Sequence, residues 1–390
     1  MVPEGWKIST LGEVCGNNLQ TGPFGSQLHA NEYEADGVPV LMPKDLNGFR
    51  ADTSSAAKIS VERARDLSKH RLCKGDILFS RRGDVTRFAL IDEASAGSLC
   101  GTGCLKATPG EQHSPEFLSY FLQKHWVRKW LEQNAVGQTM PNMNTAILSE
   151  LPLMVAGSRQ EEDTIAQILS TWDQAITATE RLLENSQQRK KGLMQQLLTG
   201  KKRLPGFEGE WKKVELGEAL AYQQPTPFLV TSTEYSDDFP TPVLTAGKSF
   251  LLGYTDETFG IYDDGLPVII FDDFTTASQY VDFPFKAKSS AMKILTAKPG
   301  YSIRFIFEAM RMIRFAVGGH QRHWISIFAN LVIPCPSSEE QHAISEVCAT
   351  ADREISSLQA RLDSLKSEKK ALMQQLLTGK RRVQVDTEAA

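Results

Sequence analysis

The stretches MQQLLTGKKR (194–203) and MQQLLTGKRR (373–382) agree at nine of ten positions, at an offset of 179 residues. A match of that length within one chain marks an internal repeat, which has to be read before any local element. Working backwards at the same offset, Glu161 falls on Glu340, Ile165 on Ile344, Asp173 on Asp352 and Ile176 on Ile355. A second match opens each half: Trp6, Lys7, Leu11, Gly12 and Glu13 fall on Trp211, Lys212, Leu216, Gly217 and Glu218 at an offset of 205. The chain therefore reads as two units, about 1–203 and 204–382, with alike ends and unlike middles. The second middle is shorter by the 26 residues that separate the two offsets.

The alike C-terminal parts have helical spacing. In the second unit Ile344, Cys348, Ala351, Ile355, Leu358, Leu362, Leu365, Lys369, Leu372 and Leu376 alternate steps of four and three, and in the first Ile165, Leu169, Trp172, Ile176, Thr179, Leu183, Ser186, Lys190, Leu193 and Leu197 do the same. A seam of period 3.5 buries itself best against another helix with the same repeat. The two helices are therefore expected to pair through Ile165, Leu169, Trp172, Ile176, Leu183, Leu193 and Leu197 on one side and Ile344, Ala351, Ile355, Leu358, Leu362, Leu365, Leu372 and Leu376 on the other. Gly200 and Pro205 stop the first helix. The second middle part starts there and feeds the second helix, which must run back along the first. The pair is expected to be antiparallel, and a rise of 1.5 Å per residue makes about 35 residues a spacer of roughly 50 Å. Outward charges on the pair, Arg189, Lys190, Lys191, Lys369 and Lys370, are candidates for receiving a partner, although plain solvation explains them as well.

The middle parts read as mixed α/β or α+β. Strand-like runs occur at 38–42, 76–79, 240–245, 266–271 and 292–296, and helical spacing at 114–134 and 301–316. At 390 residues the chain is long enough for two or three cored domains, and with 43 basic and 47 acidic side chains any nucleic-acid surface has to be local. The six cysteines form no C-x-x-C pair and the opening MVPEGWKIST has no apolar signal segment, so a reducing cytoplasm is expected. Apolar runs of about six residues fall far short of the roughly 18 that span a bilayer, so no membrane association is expected.

Catalytic signatures are scarce. Neither a phosphate-loop motif nor zinc-ligand spacing occurs, and no catalytic or metal-ligating residue is assigned. The glycine cluster GSLCGTG (97–103) reads as a turn; Cys100 and Cys104 could share a helix face as ligands, but without nearby partner histidines they read as buried apolar thiols. The adjacent pair Asp272 and Asp273 could bind a metal after the run LPVIIF, yet no lysine follows at nuclease-like spacing and strand-end aspartates commonly cap turns.

Basic and amide side chains cluster in loops of both middle parts. The first has Lys44, Asn47 and Arg50, then Arg81, Arg82 and Arg87, then Gln138, Asn142 and Asn144 in VGQTMPNMN. The second has Lys248, Thr275, Thr276, Lys288 and the run His320, Gln321, Arg322, His323. Arginine grips a guanine edge, asparagine and glutamine an adenine edge, and all of them hold phosphates. Singly, each cluster is more often a solvated face. Residues 1–158 carry 16 basic and 17 acidic groups and residues 204–336 carry 11 and 15, so much of the phosphate contact would fall to a partner.

The opener PEGWKISTLGEV, the stretch LQTGPFGSQLHANEYEADGVPVLMPKDL, the segment GDILFSRRGDVTR and LPLMVAGSRQEEDTIAQILSTWDQAI through KKGLMQQLLTGKKR together resemble the specificity subunit of type I restriction-modification enzymes. In the second half FEGEWKKVELGE, PVLTAGKSFLLGYTDE, PVIIFDDFTTASQYVDFPFKAKSSAMKIL and the second QQLLTGKRR look like the same family. One departure is Ala156 and Gly157, where the family's entry into the first helix has proline. The resemblance implies two globular target-recognition domains, 1–157 and 200–336 with its linker, and spacer helices at 158–199 and 337–379 forming a long antiparallel coiled coil, with a disordered tail at 380–390. Each domain would read half of a split, asymmetric target in double-stranded DNA. Two modification (methyltransferase) subunits and the restriction (motor-nuclease) subunits would dock, bringing S-adenosylmethionine, ATP and Mg2+, with no cofactor in this chain. Two rivals stand beside this reading: a self-contained DNA-modifying or cleaving enzyme with an Asp272/Asp273 metal site, and a coiled-coil adaptor that binds proteins alone.

Overall fold

The computed structural model describes residues 2–25, 27–137, 139–247, 249–313 and 324–384. The chain forms two compact units, Met1–Ala178 with Leu362–Ala390 and Thr179–Arg361. Among the described residues, the helices of eight residues or more are α1 (Pro115–Leu122), α2 (His125–Asn134), α3 (Arg159–Leu197), α4 (Ile303–Met312) and α5 (Ser338–Leu376). The first half of α3 and the second half of α5 belong to the first unit, and the remaining halves to the second.

In the first unit the opening strand Lys7–Thr10 pairs antiparallel with Pro152–Val155, which leads into α3. Between them lies a six-stranded sheet in the order Leu19–Thr21, Cys104–Ala107, Ile77–Ser80, Phe88–Leu90, Arg50–Ala51 and Leu46–Asn47, with a smaller four-stranded sheet that includes Val38–Leu41. Ser114 starts α1 by accepting from the Phe117 N–H, and its own N–H is held by the Glu162 carboxylate at 2.8 Å. Trp6, Phe79, Phe117, Ile165, Leu169 and Leu376 share one core, so the start of α3 and the end of α5 are packed into the domain. Such burial stabilises by roughly 1.5–3 kcal/mol per large apolar side chain.

The second unit repeats this frame. Lys212–Glu215 pairs antiparallel with Val332–Cys335, which leads into α5. Ser302 starts α4 by accepting from the Phe305 N–H, and its N–H is held by the Gln341 amide oxygen at 2.8 Å. Gln341 lies 179 residues after Glu162, so the repeat extends to a buried polar contact. Between these ends the core strand order repeats: Leu220–Gln223, Met292–Ala297, Val268–Asp272 and Ser278–Val281 pair in the order of the first four strands of the six-stranded sheet. Thr241–Leu244 lies between Leu251–Thr255 and Lys286–Ala287 as Val38–Leu41 lies between Ala57–Ile59 and Leu99–Cys100. The strands Tyr33–Glu34, Leu46–Asn47 and Arg50–Ala51 of the first unit have no counterpart among the described residues.

Within each unit the two long helices run antiparallel. In the first, Asp173 takes Lys369 at 2.6 Å while Glu161, earlier on α3, takes Arg382 from beyond the end of α5 at 2.6 Å. In the second, Lys190 takes Asp352 at 2.6 Å, and Arg203, later in the chain, takes the earlier Glu340 at 2.6 Å. Advancing along one partner retreats along the other. The fifteen apolar seam positions named from the heptads are all buried or half-buried. Lys190 and Lys369 do not face outward: ion pairs to the opposite helix hold them against the seam, and Arg189 is likewise taken by Glu354 at 2.6 Å. Lys191 and Lys370 remain exposed.

Each helix ends where the repeated stretch demands. Gly379 has φ +64°, and a β-carbon there would stand 3.0 Å from the Trp6 ring, while Gly200 has φ +69° with the Trp211 ring at 3.4 Å. A glycine C-cap therefore does two things, turning the chain left-handed and admitting the tryptophan of the opener. The final arginine of each stretch then completes a lock. Arg382 bridges both oxygens of Glu161 at 2.6 and 3.0 Å while the Trp6 indole donates to the same carboxylate at 3.3 Å. Arg203, Glu340 and Trp211 repeat the arrangement, with the indole at 3.1 Å.

Two expectations are corrected. The helix over 114–134 is two helices, broken at Gln123 and Lys124, where Lys124 is extended (φ −63°, ψ 139°). Cys100 and Cys104 are buried as expected, on two strands, Leu99–Cys100 and Cys104–Ala107. The tail is ordered through its first residues, with Arg382 in the lock and Val383 against the core, and residues 385–390 lie outside the described residues.

Candidate nucleic-acid interface

In the first unit, strand order brings separate basic loops to one rim. Val38–Leu41 leads into a short turn, Pro43–Asp45, that carries Lys44, and Ile77–Ser80 leads into Arg81 and Arg82. The glycine cluster explains how closely these loops approach. A β-carbon on Gly101 would stand 2.5 Å from the Leu41 carbonyl oxygen, and one on Gly22 would stand 1.9 Å from the Gly101 carbonyl oxygen. These glycines pack backbone on backbone, which fits the reading of the cluster as a turn.

Hydrogen bonds then tie the rim together. The Arg87 guanidinium donates to the Pro43 carbonyl at 3.1 Å, the Arg81 N–H to the Gly103 carbonyl at 2.8 Å, and the Met143 N–H to the Arg81 carbonyl at 2.8 Å. Arg82 and Asn142 form a bridge between extended segments. Lys44, Arg81, Arg82, Arg87 and Asn142, scattered over about a hundred residues of sequence, thus lie on connected loops. Lys44 and Arg82 are exposed and carry no ion pair among the described residues. Arg81 Nε is buried without a hydrogen-bond partner among the described residues, an arrangement that leaves a charged donor unsatisfied until something accepts from it.

Asn47 and Arg50 flank the tip of the hairpin Leu46–Asn47/Arg50–Ala51. Asn47 donates to the Lys44 carbonyl at 3.3 Å, and Arg50 pairs loosely with Asp92 at 3.3 Å. Asn144 serves the fold: its side-chain oxygen accepts from the Ile147 N–H at 2.8 Å and starts the helix Thr145–Ser149. Gln138 lies outside the described residues.

The second unit divides its candidates differently. The Asp272 carboxylate accepts from the Phe274 and Thr275 N–H groups at 2.9 and 2.7 Å, closing a turn in which Thr276 has φ +59°. Asp273 is buried and accepts from the Trp324 N–H at 2.8 Å. A lysine does meet it, from a neighbouring strand: Lys293 on Met292–Ala297 pairs with Asp273 at 3.3 Å and donates to Gln224 at 3.1 Å. The two carboxylates are therefore spent on their own chain, and no group of three metal-ligating side chains occurs among the described residues. Lys288 donates to the Tyr235 hydroxyl at 2.8 Å and lies over its ring. Lys248, His320, Gln321, Arg322 and His323 lie outside the described residues.

The remaining titratable groups hold the domain together. Burial pushes the Cys100 thiol up to about 12 and the Cys104 thiol well above its ordinary range, which makes both poor nucleophiles. Burial lowers Lys124 to about 8, and its amine donates to the Leu377 carbonyl at the end of α5. Two exposed aromatics of the first unit, Phe24 and Phe49, carry neither charge nor amide and so lie outside the basic and amide clusters of the sequence. The signal for Phe49 was the turn NGFR, which places Gly48 and Phe49 at the centre of a tight hairpin.

Comparison with known proteins bears on this arrangement. A family described as type I restriction modification DNA specificity domain matches residues 3–185. The type I restriction enzyme EcoR124I/EcoR124II specificity subunit of Escherichia coli is 48% identical over 147 residues, which is 36% of this chain and 36% of that protein, so the match spans about a third of that relative. The putative type I restriction enzyme MjaX specificity subunit of Methanocaldococcus jannaschii is 24% identical over 425 aligned positions, 98% of this chain and 95% of that one. The crystal structure of a type I restriction-modification S subunit from M. genitalium superposes with a TM-score of 0.65 at 15% identity, covering 95% of this chain and 96% of its own, a likeness of fold. No helix among the described residues is long and apolar enough to cross a membrane. Residues 3–185 thus match the type I restriction modification DNA specificity domain by sequence, and the whole chain is similar in fold to a type I restriction-modification S subunit.

Proposed function

We propose that this chain reads a bipartite, asymmetric sequence in double-stranded DNA, one half with each unit, and serves in the cytoplasm as the platform for two modification subunits and for restriction subunits. The observation that carries this reading is a duplicated frame with unlike inserts. The locks Trp6–Glu161–Arg382 and Trp211–Glu340–Arg203 repeat residue for residue and the sheets between them share a core strand order, whereas the first unit adds the strands Tyr33–Glu34, Leu46–Asn47 and Arg50–Ala51 and the loops carry different side chains. Repeated sockets holding different readers suit a protein that recognises two unlike sequences. In the first unit Lys44 and Arg82 hold phosphates, and Arg81, Arg87 and Asn142 face base edges. In the second, Thr275, Thr276 and Lys288 extend the reading surface.

The chain is proposed to be non-catalytic. S-adenosylmethionine, ATP and Mg2+ belong to the partner subunits, consistent with Asp272 and Asp273 being occupied by backbone N–H groups and Lys293. The test is to produce a modification subunit with and without this chain and to map methylated adenines in the host. A split motif is expected that depends on the chain and fades when Lys44→Ala and Arg82→Ala are combined. The same motif without the chain, or magnesium-dependent cleavage of DNA by the purified chain alone, overturns the proposal.

A further inference from the structure

The hairpin between Leu46–Asn47 and Arg50–Ala51 turns through Gly48 and Phe49, with φ of +57° and +67°. Two-residue turns of this hand suit glycine or asparagine at both centres, and a bulky aromatic in the left-handed region is a costly exception. The rest of the unit holds that exception in place. The Leu90 N–H donates to the Phe49 carbonyl at 3.1 Å, and the Phe49 ring meets the Phe88 ring at 5.1 Å. Yet the side chain remains 43% exposed. A residue needed just to cover Phe88 requires no strained backbone, and a residue needed just for the turn would be glycine. The fold presents a fixed aromatic face to solvent.

The surroundings of that face specify what it meets. Asn47 and Arg50 flank it, Lys44 lies beneath Asn47, and Arg87 ties the Lys44 turn to the strand that carries Phe88. An aromatic face ringed by amide and cationic groups suits a nucleobase, with stacking on the ring, edge contacts to Asn47 or Arg50 and phosphate contacts to Lys44. We propose that Phe49 is a DNA-contacting residue that stacks on a base at a step within the target half read by the first unit. This deepens the DNA-reading function proposed above and rests on it. A site already held rigid loses little freedom on binding, which gives the strained backbone a use.

The experiment uses the full chain assembled with a modification subunit and a short duplex carrying the mapped target, with 2-aminopurine placed in turn at each adenine of that half. Phe49→Gly suits the backbone and removes the ring, so its melting temperature should match or exceed that of the parent. Its affinity for the target should fall roughly tenfold, the size expected for one lost base–aromatic contact. The 2-aminopurine fluorescence change at one step should also vanish. Phe49→Leu keeps an apolar cover on Phe88 and should behave like Phe49→Gly, while Phe49→Tyr should keep both affinity and signal. Target affinity in Phe49→Gly and Phe49→Leu equal to the parent's overturns the inference. So does a loss confined to assembly with the modification subunit, which would make the tip a protein contact. A parent complex that does not distinguish target from scrambled duplex defeats the function proposed above, an outcome separate from parent-like binding by the variants.

Discussion

The seam charges of the two units start from the same pair and are completed in opposite ways. In the first unit Lys369 and Asp173 are joined by a phenol: the Tyr120 hydroxyl donates to Asp173 at 2.7 Å, and Lys369 lies over the Tyr120 ring. In the second, Lys190 and Asp352 are joined by Glu308, which is fully buried and stands 3.6 Å from Lys190. Tyr120 on α1 and Glu308 on α4 follow their capping serines, Ser114 and Ser302, at the same distance in sequence. A buried carboxylate needs counter-charge, and α4 supplies it on either side of Glu308. Arg304 stands 3.2 Å away and also pairs with Asp352, and Arg311 stands 3.4 Å away. The neutral phenol of the first unit needs no such escort. The frame thus holds one lysine and one aspartate constant and leaves the third member to the domain helix, provided that the helix brings its own balance.

The largest expected effect comes from breaking that balance. Glu308→Ala leaves Lys190 and Arg304 crowded around one carboxylate, and the second unit should lose about 3–5 kcal/mol, the usual cost of removing one member of a buried ion pair. Chemical denaturation of the full chain, with hydrogen exchange to assign the loss to Thr179–Arg361, measures it. A loss below about 1 kcal/mol would show that the arginines are balanced by solvent.

The matched locks sharpen the comparison from the other side. Glu161→Gln and Glu340→Gln each remove a buried charge facing one arginine and one indole, so each should cost about 2–3 kcal/mol, and by the same amount. A difference above about 1 kcal/mol between them would mean that the repeated geometry hides unequal energetics.

The smallest effect falls on the first unit. Tyr120→Phe removes one hydrogen bond to a carboxylate and should cost about 1 kcal/mol near neutral pH. Burial, reinforced by the hydrogen bond to Asp173, pushes the Tyr120 hydroxyl above the ordinary phenol range. The unfolded chain therefore loses that proton first, and stability falls as pH rises past the unfolded value of about 10. The Phe variant should lack this part of the alkaline fall in a pH series of denaturation midpoints; an unchanged pH profile would separate Tyr120 from Asp173.

Much of the frame could be read before the structure because it is periodic and doubled. Heptad spacing marks α3 and α5, and connectivity alone makes them antiparallel. The pairing of Lys190 with Asp352 and of Lys369 with Asp173 was also within reach, since an antiparallel register that sets one pair sets its repeat. Those lysines were expected to point outward instead, because a lysine in a seam looks like a register device or a surface charge until its partner is known. The break between α1 and α2 was hidden for a different reason. Apolar spacing continues through QKHW, and the extended Lys124 follows from a tertiary contact with the Leu377 carbonyl, 253 residues away.

The basic rim of the first unit was legible in composition and not in geometry. Lys44, Arg81, Arg82, Arg87 and Asn142 were chosen as loop residues, but their convergence depends on pairings between strands of two to four residues, too short to have a period of their own. Asn144 shows the converse: an amide chosen for base edges is used by the backbone as a helix cap. The Asp272 and Asp273 pair behaves likewise, its charge spent on a turn and on Lys293.

The arginines of α4 carry a consequence for grafting. Arg304, Glu308 and Arg311 travel on one helix of ten residues, so an insert transplanted with that helix carries its counter-ions along and asks of its new host just a lysine and an aspartate. The host positions 173 with 369 and 190 with 352 offer that same couple. An insert moved with α4 from one socket to the other would thus bring its own counter-charge for the buried carboxylate.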